Sequence, residues 1–359
     1  MGHAVLAGNY RRLLAQHGCD VTLLDVLQED GGASVAAAAA LYVAVIEHVP
    51  GVWRLLYSSW NRLPGMEWFR SSWMTRRFRE TESALRRLDP ATVLTTHPLA
   101  TAIAARVKSR GSPTPRLVAV LWDWHVQPFG CFPQVDHYLV GVPRQREGLA
   151  RMGIDPSRVT VSGLLVAPEY RTPVPAAEAR ARLQLPPDRP VVLVLGGGRG
   201  WGLKPLVRAV ARLQTPVSAV VLCGSAVRCA RLERMLAGSG SGAATIRLLA
   251  CEADPSPYYY AADLIVSKPS GLSPAQAFAC GVPMLAISPE PGHEEANLVE
   301  LTQSGAVLVP RVDEDPAAAI ERLLHDPAAR EKAAAQGRKL AALDTEAIAL
   351  AVLGWPNGG

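Results

Sequence analysis

Residues 267–283 read Ser-Lys-Pro-Ser-Gly-Leu-Ser-Pro-Ala-Gln-Ala-Phe-Ala-Cys-Gly-Val-Pro. The residues just before them, Ala261-Ala262-Asp263-Leu264-Ile265-Val266, carry a short apolar run suited to a buried parallel strand, and Met284-Leu285-Ala286-Ile287 is a second such run. Between the runs the pattern predicts a small-residue loop and a helix from about Pro274 to Cys280, stopped by Gly281 and Pro283. Strand, loop, helix and strand make one βαβ unit. Its loop sets the backbone N–H groups of Gly271, Leu272 and Ser273 at a helix start, an arrangement that suits an anion such as phosphate. Any parallel βαβ unit also needs a small-residue turn here, so spacing alone leaves both explanations standing.

Working outward, the same alternation recurs on both sides. Strand-like runs at Thr92–Thr95, Leu117–Leu121, Tyr138–Val140 and Val159–Val161 are separated by helical stretches such as Leu99–Lys108 and Pro143–Met152. After a Pro-rich stretch a second round runs through Val191–Leu195, Ala219–Leu222 and Thr245–Leu248, with a glycine loop at Gly196–Gly202. The expected fold class is α/β, with two Rossmann-like domains facing a cleft into which the carboxyl ends of both sheets open. The expected division is residues 1–166, a linker at 167–175, a second domain at 176–340 and a helical tail at 341–359. The chain opens on Gly2-His3-Ala4, enters a helix ending near Gly18, and then offers Val21–Asp25 as a strand. Rossmann-like domains open with a strand and a glycine loop, so the first strand of the N-terminal domain is expected to be missing.

Composition narrows the classes. The 359 residues are 49% hydrophobic and 19% charged, as in a globular chain with room for two cores, and the net charge of +5 suits an anionic partner. Six cysteines show no C-x-x-C spacing, which points away from zinc sites and disulfide frameworks. The longest apolar stretch, Ala33–Ile46, falls short of the ~20 residues of a membrane span, and no signal peptide is visible. A cytoplasmic protein is expected, with no nucleic-acid motif beside its arginines. Residues 41–87 mix Trp53, Trp60, Trp68 and Trp73 with Arg54, Arg62, Arg70, Arg76, Arg77 and Arg79. That mixture suits the headgroup boundary of an anionic membrane, and it equally suits an amphipathic helical pair packed on a sheet.

Several separated motifs resemble glycosyltransferase family 28, in its diacylglycerol glycosyltransferase and monogalactosyldiacylglycerol synthase branch, with the peptidoglycan N-acetylglucosaminyltransferase as a more distant relative. Gly2-His3 with Ala7 resembles the end of the family's glycine loop, and Thr96-His97-Pro98 resembles a strand end. Asp123, His125, Asp136-His137-Tyr138, Gly153-Ile154 and Val161-Ser162-Gly163 follow the family's order. In the second half, Gly196–Gly200, Cys223-Gly224-Ser225, Lys268–Ala277 and Pro291–Asn297 resemble the nucleotide-side motifs. The resemblance implies the two-domain GT-B fold and an inverting, metal-independent transfer of a hexose from a UDP-sugar to a lipid hydroxyl such as diacylglycerol, on the cytoplasmic membrane face. It implies no cofactor and no metal; the UDP-hexose is a substrate. Three departures stand out: the first strand and the front of the glycine loop are expected to be absent, the family's ribose-binding glutamate is Gln276, and its Gly-Phe is Cys251-Glu252. They keep alternatives open: a polyprenyl-linked or small-molecule acceptor, or a non-catalytic nucleotide-sugar-binding member.

The implied chemistry assigns roles. His3 is the expected catalytic base, with Asp123 as rival base or as the group that orients a histidine, and His125 as an acceptor-side or catalytic residue. His97 reads as structural. The leaving diphosphate would sit on Ser270, Gly271, Leu272 and Ser273, helped by Gly197, Gly198, Arg199 and Ser225. Gln276 would hold the ribose, and the backbone of Glu252 and Ala253 the uracil. His293, Glu294, Glu295 and Asn297 would line the sugar, though acids at a helix start also occur as a solvated cap.

Overall fold

A computed structural model describes residues 2–30, 32, 40, 44–46, 48–59, 78–111, 114–196, 202–238 and 242–354 of the chain. Two compact units emerge. The first holds the described residues through Leu165, with Pro291–His293 and the segment from Asp344; the second holds Val166–Glu290 and Glu294–Leu343.

The first unit is built on a four-stranded parallel sheet in the order β1 (Thr92–Thr95), β2 (Arg116–Leu121), β3 (His137–Val140) and β4 (Val159–Val161). Leu117 to Val120 and Tyr138 to Val140 are buried continuously, as strands covered on both faces must be. The crossover from β1 to β2 is the Pro98–Ser109 helix, which begins with proline in its first turn behind an N-cap His97. Tyr138, 0% exposed, turns its hydroxyl onto the backbone of Phe132, accepting from the N–H and donating to the C=O, each at 2.9 Å. That pair of bonds pins the loop entering β3 against the core formed by Leu117, Ala119, Phe132 and Leu149.

The second unit carries five parallel strands in the order β7 (Thr245–Leu249), β6 (Ser218–Leu222), β5 (Val191–Leu195), β8 (Leu264–Ser267) and β9 (Met284–Ala286). The chain builds outward from β5 to β7, then returns to lay β8 on the other side of β5. The loops that follow β5 and β8 therefore leave adjacent strands in opposite winding directions. This is the switch point at which doubly wound sheets bind ligands. Helices Leu203–Ala211 and Pro316–Leu324 seal one face, with Leu206, Val207, Val210, Ile320 and Leu323 at 0% exposure.

Eight of the nine observed strands overlap runs read from the sequence to within a residue or two, and the ninth, Leu264–Ser267, is the run before the opening motif. The organising helix spans Leu272–Ala279, starting two residues earlier than expected, because Pro274 is tolerated in a first turn. It stops where Gly281 takes φ +70°. Val21–Asp25 is not a strand: no described strand flanks β1 on that side, so the segment has no ladder to join and runs as extended chain into a short helix, Val26–Glu29. Among the described residues no strand precedes β1. The proline-rich stretch is packed: Tyr170 is buried, edge-on to Tyr259 at 5.1 Å.

Replacing Tyr138 by Phe removes both hydroxyl bonds to Phe132 and leaves the Phe132 carbonyl with the 3.2 Å bond from Val135 N–H. Urea unfolding of Tyr138→Phe is expected to show a loss of about 1–3 kcal/mol.

Candidate functional site

In the first unit the carboxyl ends of β1 and β2 open on a small pocket lined among others by Thr96, His97, Trp122, Asp123, His125 and Gln127. His3, in the first turn of the Gly2–Gln16 helix, packs against three of these lining residues, Thr96, His97 and Trp122. The His3 ring lies 4.3 Å from that of His97 and 4.2 Å from the Trp122 ring. A side chain on Gly2 would meet Trp122 at 2.4 Å, so the helix start approaches this wall only as glycine. His3 Nδ1 bonds the Thr96 carbonyl, and Thr96 Oγ1 donates back to the His3 carbonyl at 3.1 Å. A nitrogen facing a carbonyl must carry its proton, which makes Nε2 the basic nitrogen of neutral His3. Burial holds His3 well below the usual imidazole range; neighbouring His97 adds to the shift and the Thr96 carbonyl opposes it.

His97 caps the Pro98–Ser109 helix, its Nδ1 accepting from Leu99 N–H at 3.1 Å. Burial lowers its pKa from the ordinary 6.5 to about 4. An accepting Nδ1 needs the same unprotonated ring, in keeping with the structural role expected from the sequence.

Asp123 and His125 sit in the loop leaving β2, and one side chain holds both. Gln145, 1% exposed, donates to the carbonyls of Asp123 at 2.7 Å and His125 at 3.3 Å, and accepts from Gly141 N–H at 2.8 Å and Val142 N–H at 3.1 Å. Every bonding position of the amide is used. The Asp123 carboxylate accepts from Gln127, and His125 Nε2 shares a 2.7 Å hydrogen bond with the hydroxyl of Tyr57 from the Pro50–Ser59 helix. Sequence reading did not single out Gln145. Its legible signal was a glutamine three residues after Val142, at a capping-box position in front of a Pro-initiated helix.

In the second unit, Ser270, Gly271, Leu272 and Ser273 form the turn into the Leu272–Ala279 helix, with Ser270 Oγ donating to Ser273 Oγ at 3.2 Å. Gln276 lies one turn further on, its Oε1 accepting from the Tyr259 hydroxyl at 2.9 Å. The carbonyl oxygen expected for the ribose thus already accepts one hydrogen bond and keeps one further accepting position beside the amide nitrogen. Ser225 caps its helix by accepting from Arg228 N–H at 3.3 Å. Glu252 and Ala253 follow β7, half-buried and exposed. Glu294 and Asn297 are turned inward: Glu294 meets Lys268 Nζ at 3.0 Å and accepts from Glu290 N–H at 2.7 Å, and Asn297 Nδ2 donates to the Pro269 carbonyl at 3.1 Å. Glu295 and His293, on the same helix start, stay half-buried. Gly197, Gly198 and Arg199 lie outside the described residues.

Comparisons with known proteins fit this division. Residues 7–166 match the family model for monogalactosyldiacylglycerol (MGDG) synthase, and residues 176–340 that for glycosyl transferases group 1. A processive diacylglycerol beta-glucosyltransferase of Bacillus subtilis is 25% identical over 209 residues, covering 58% of this chain and 54% of the relative. The chain thus spans about half the length of the curated relatives it matches. Among solved structures, MurG of Acinetobacter baumannii superposes with a TM-score of 0.53 at 15% identity, covering 77% of this chain and 76% of that one. Sucrose-phosphate synthase of Thermosynechococcus elongatus gives 0.56 at 21%, covering 78% and 77%. These likenesses establish the GT-B fold; the pocket histidines and Asp123 lie within or next to the MGDG synthase span.

Two measurements probe the pocket. Gln145→Leu removes four hydrogen bonds to backbone groups, two of them buried and two part-buried, and is expected to lower stability by about 1–3 kcal/mol in urea unfolding. For His97, the folded pKa lies below the unfolded value, so the neutral ring contributes stability that is present above about pH 6.5 and is lost as pH falls toward 4. His97→Asn keeps a capping acceptor without a titrating ring, and its Tm should fall less than that of the parent chain across that window.

Proposed function

We propose that this chain is an inverting hexosyltransferase that moves a sugar from a UDP-hexose to a lipid hydroxyl such as diacylglycerol. The observation that carries the proposal is the pocket in the span matched by the MGDG synthase model, where the Gln145-held Asp123 and His125 stand at the carboxyl end of β2, and where His3, held neutral by burial, bonds Thr96 of the lining at the carboxyl end of β1. In the reaction the acceptor oxygen attacks the anomeric carbon. The bond to the diphosphate oxygen breaks, UDP leaves with the electron pair, and the hydroxyl proton passes to the base. His3 suits the base because it is held neutral; Asp123 suits the orienting role, and the Tyr57 hydrogen bond fixes the His125 ring.

In the second unit the 270–273 turn and the helix behind it supply oriented N–H dipoles for the leaving diphosphate. Gln276 then meets the ribose as a donor through its amide nitrogen. On this reading neither a metal nor a cofactor is needed.

We further propose peripheral contact with an anionic membrane on the cytoplasmic side through the 41–87 region. Within its described part, the Pro50–Ser59 helix turns Leu55, 66% exposed, and Arg54 outward while Tyr57 faces the pocket. Residues 41–43, 47 and 60–77, with Trp60, Trp68 and Trp73, lie outside the described residues. Among the described residues no helix is long and apolar enough to cross a membrane.

The test is radiolabelled sugar transfer from UDP-glucose or UDP-galactose to diacylglycerol in vesicles containing anionic lipid, with EDTA present. Glycolipid formation that survives EDTA and falls by about 10²-fold or more in His3→Ala is the expected result. Transfer only to polyprenyl phosphate or a water-soluble acceptor, or binding of UDP without transfer to any acceptor, would replace the diacylglycerol assignment.

A further inference from the structure

Beneath the 268–273 turn lies a cluster of charges sealed from water. Lys268, Glu290 and Glu294 are 5%, 4% and 3% exposed. The ammonium stands 3.2 Å from Glu290 Oε2 and 3.0 Å from Glu294 Oε1. The second oxygen of Glu294 accepts from the backbone N–H of Glu290 at 2.7 Å. Alongside, Asn297 at 0% exposure donates to the Pro269 carbonyl at 3.1 Å, and Ser270 N–H closes a tight turn onto the Lys268 carbonyl at 2.9 Å. Three successive loop residues are thereby fixed: Lys268 by its side chain, Pro269 by its carbonyl and Ser270 by its amide.

This lysine is poorly suited to grip a diphosphate directly. Its charge is already opposed by two carboxylates, and the three groups together carry one net negative charge if all are ionised. Burying such a set costs desolvation energy that simple hydrophobic packing would avoid, so its return is sought in geometry. A turn that binds an anion through backbone N–H groups depends on where those groups point, and displacement by about 1 Å is enough to cost a large factor in binding or rate.

We propose that Lys268, clamped by Glu290 and Glu294, is a positioning residue that together with Asn297 holds the 268–273 turn in its anion-binding shape. The proposal rests on the reading of that turn as the diphosphate site. It gives Glu294 and Asn297 a task apart from contact with the sugar: they stand behind the turn and set its position.

The test is calorimetric titration of UDP into the full chain and four variants, each checked by thermal melting. Lys268→Met alone leaves two buried carboxylates facing each other and is expected to melt well below the parent. The triple variant Lys268→Met/Glu290→Gln/Glu294→Gln removes all three charges and should recover most of that loss. Its UDP affinity should nevertheless stay about tenfold or more below the parent. Asn297→Leu, which leaves the charges in place, should fold and also bind UDP severalfold more weakly. Lys268→Arg keeps the cation between the carboxylates and should retain affinity to within a few-fold. UDP binding at parental affinity by the folded triple variant or by Asn297→Leu would overturn the positioning role. Failure of the parent chain to bind UDP would instead remove the diphosphate reading of the turn, and is told apart because it needs no variant.

Discussion

Parallel pairing is the constraint from which the rest follows. β5 and β8 lie side by side and run the same way, although they are joined through β6, β7 and their crossover helices. A parallel ladder needs a crossover at every step, and crossovers force all the loops that follow strands onto one edge of the sheet. In the second unit this puts the turn after β8 on the same edge as Gly196, the residue after β5; in the first it gathers Thr96-His97, Trp122, Asp123 and His125 on one pocket, with Gly141 N–H bonded to the same Gln145 that holds Asp123. Neither edge needs a dedicated device to bring functional groups together. Topology delivers them, and side chains then set their orientation.

The two units orient their loops by different physics. The first uses neutral hydrogen bonding: a single buried amide, Gln145, satisfies two carbonyls and two N–H groups, and His3 and His97 are held uncharged by burial. The second uses buried charge, a lysine between two glutamates, with Asn297 beside it. The difference fits the proposed tasks. A base must stay neutral to take a proton, and an anion site formed from backbone N–H groups must keep its dipoles aligned while charge arrives and leaves.

Much of the fold was legible because its strands are buried on both faces. Val191–Leu195 and Leu264–Val266 are uninterrupted apolar runs, and such runs between glycine and proline signals admit few other structures. Val21–Asp25 was misread for a related reason: its composition suits a strand, but a strand exists only beside a partner, and none lies there among the described residues. The site was legible as motifs and illegible as contacts. Glu294 and Asn297 look like ligand groups at a helix start, and only packing reveals that both point inward to Lys268 and Pro269. Gln276 looks like a ribose acceptor, and only packing reveals that Tyr259 already takes one of its carbonyl oxygen's two accepting positions.

The amino-acid order by itself determined the alternation of strand and helix, the division into two Rossmann-like halves and the location of the small-residue turns, because each depends on hydrophobic period and on backbone freedom within a few residues. Tertiary structure alone decided which polar side chains serve the scaffold and which face a ligand. That choice depends on partners far away in the chain: His3 and Thr96 are 93 residues apart, Gln145 and Asp123 are 22 apart, and Lys268 and Glu290 are 22 apart. No local pattern encodes the burial that makes one histidine neutral or the ion pair that turns a glutamate inward.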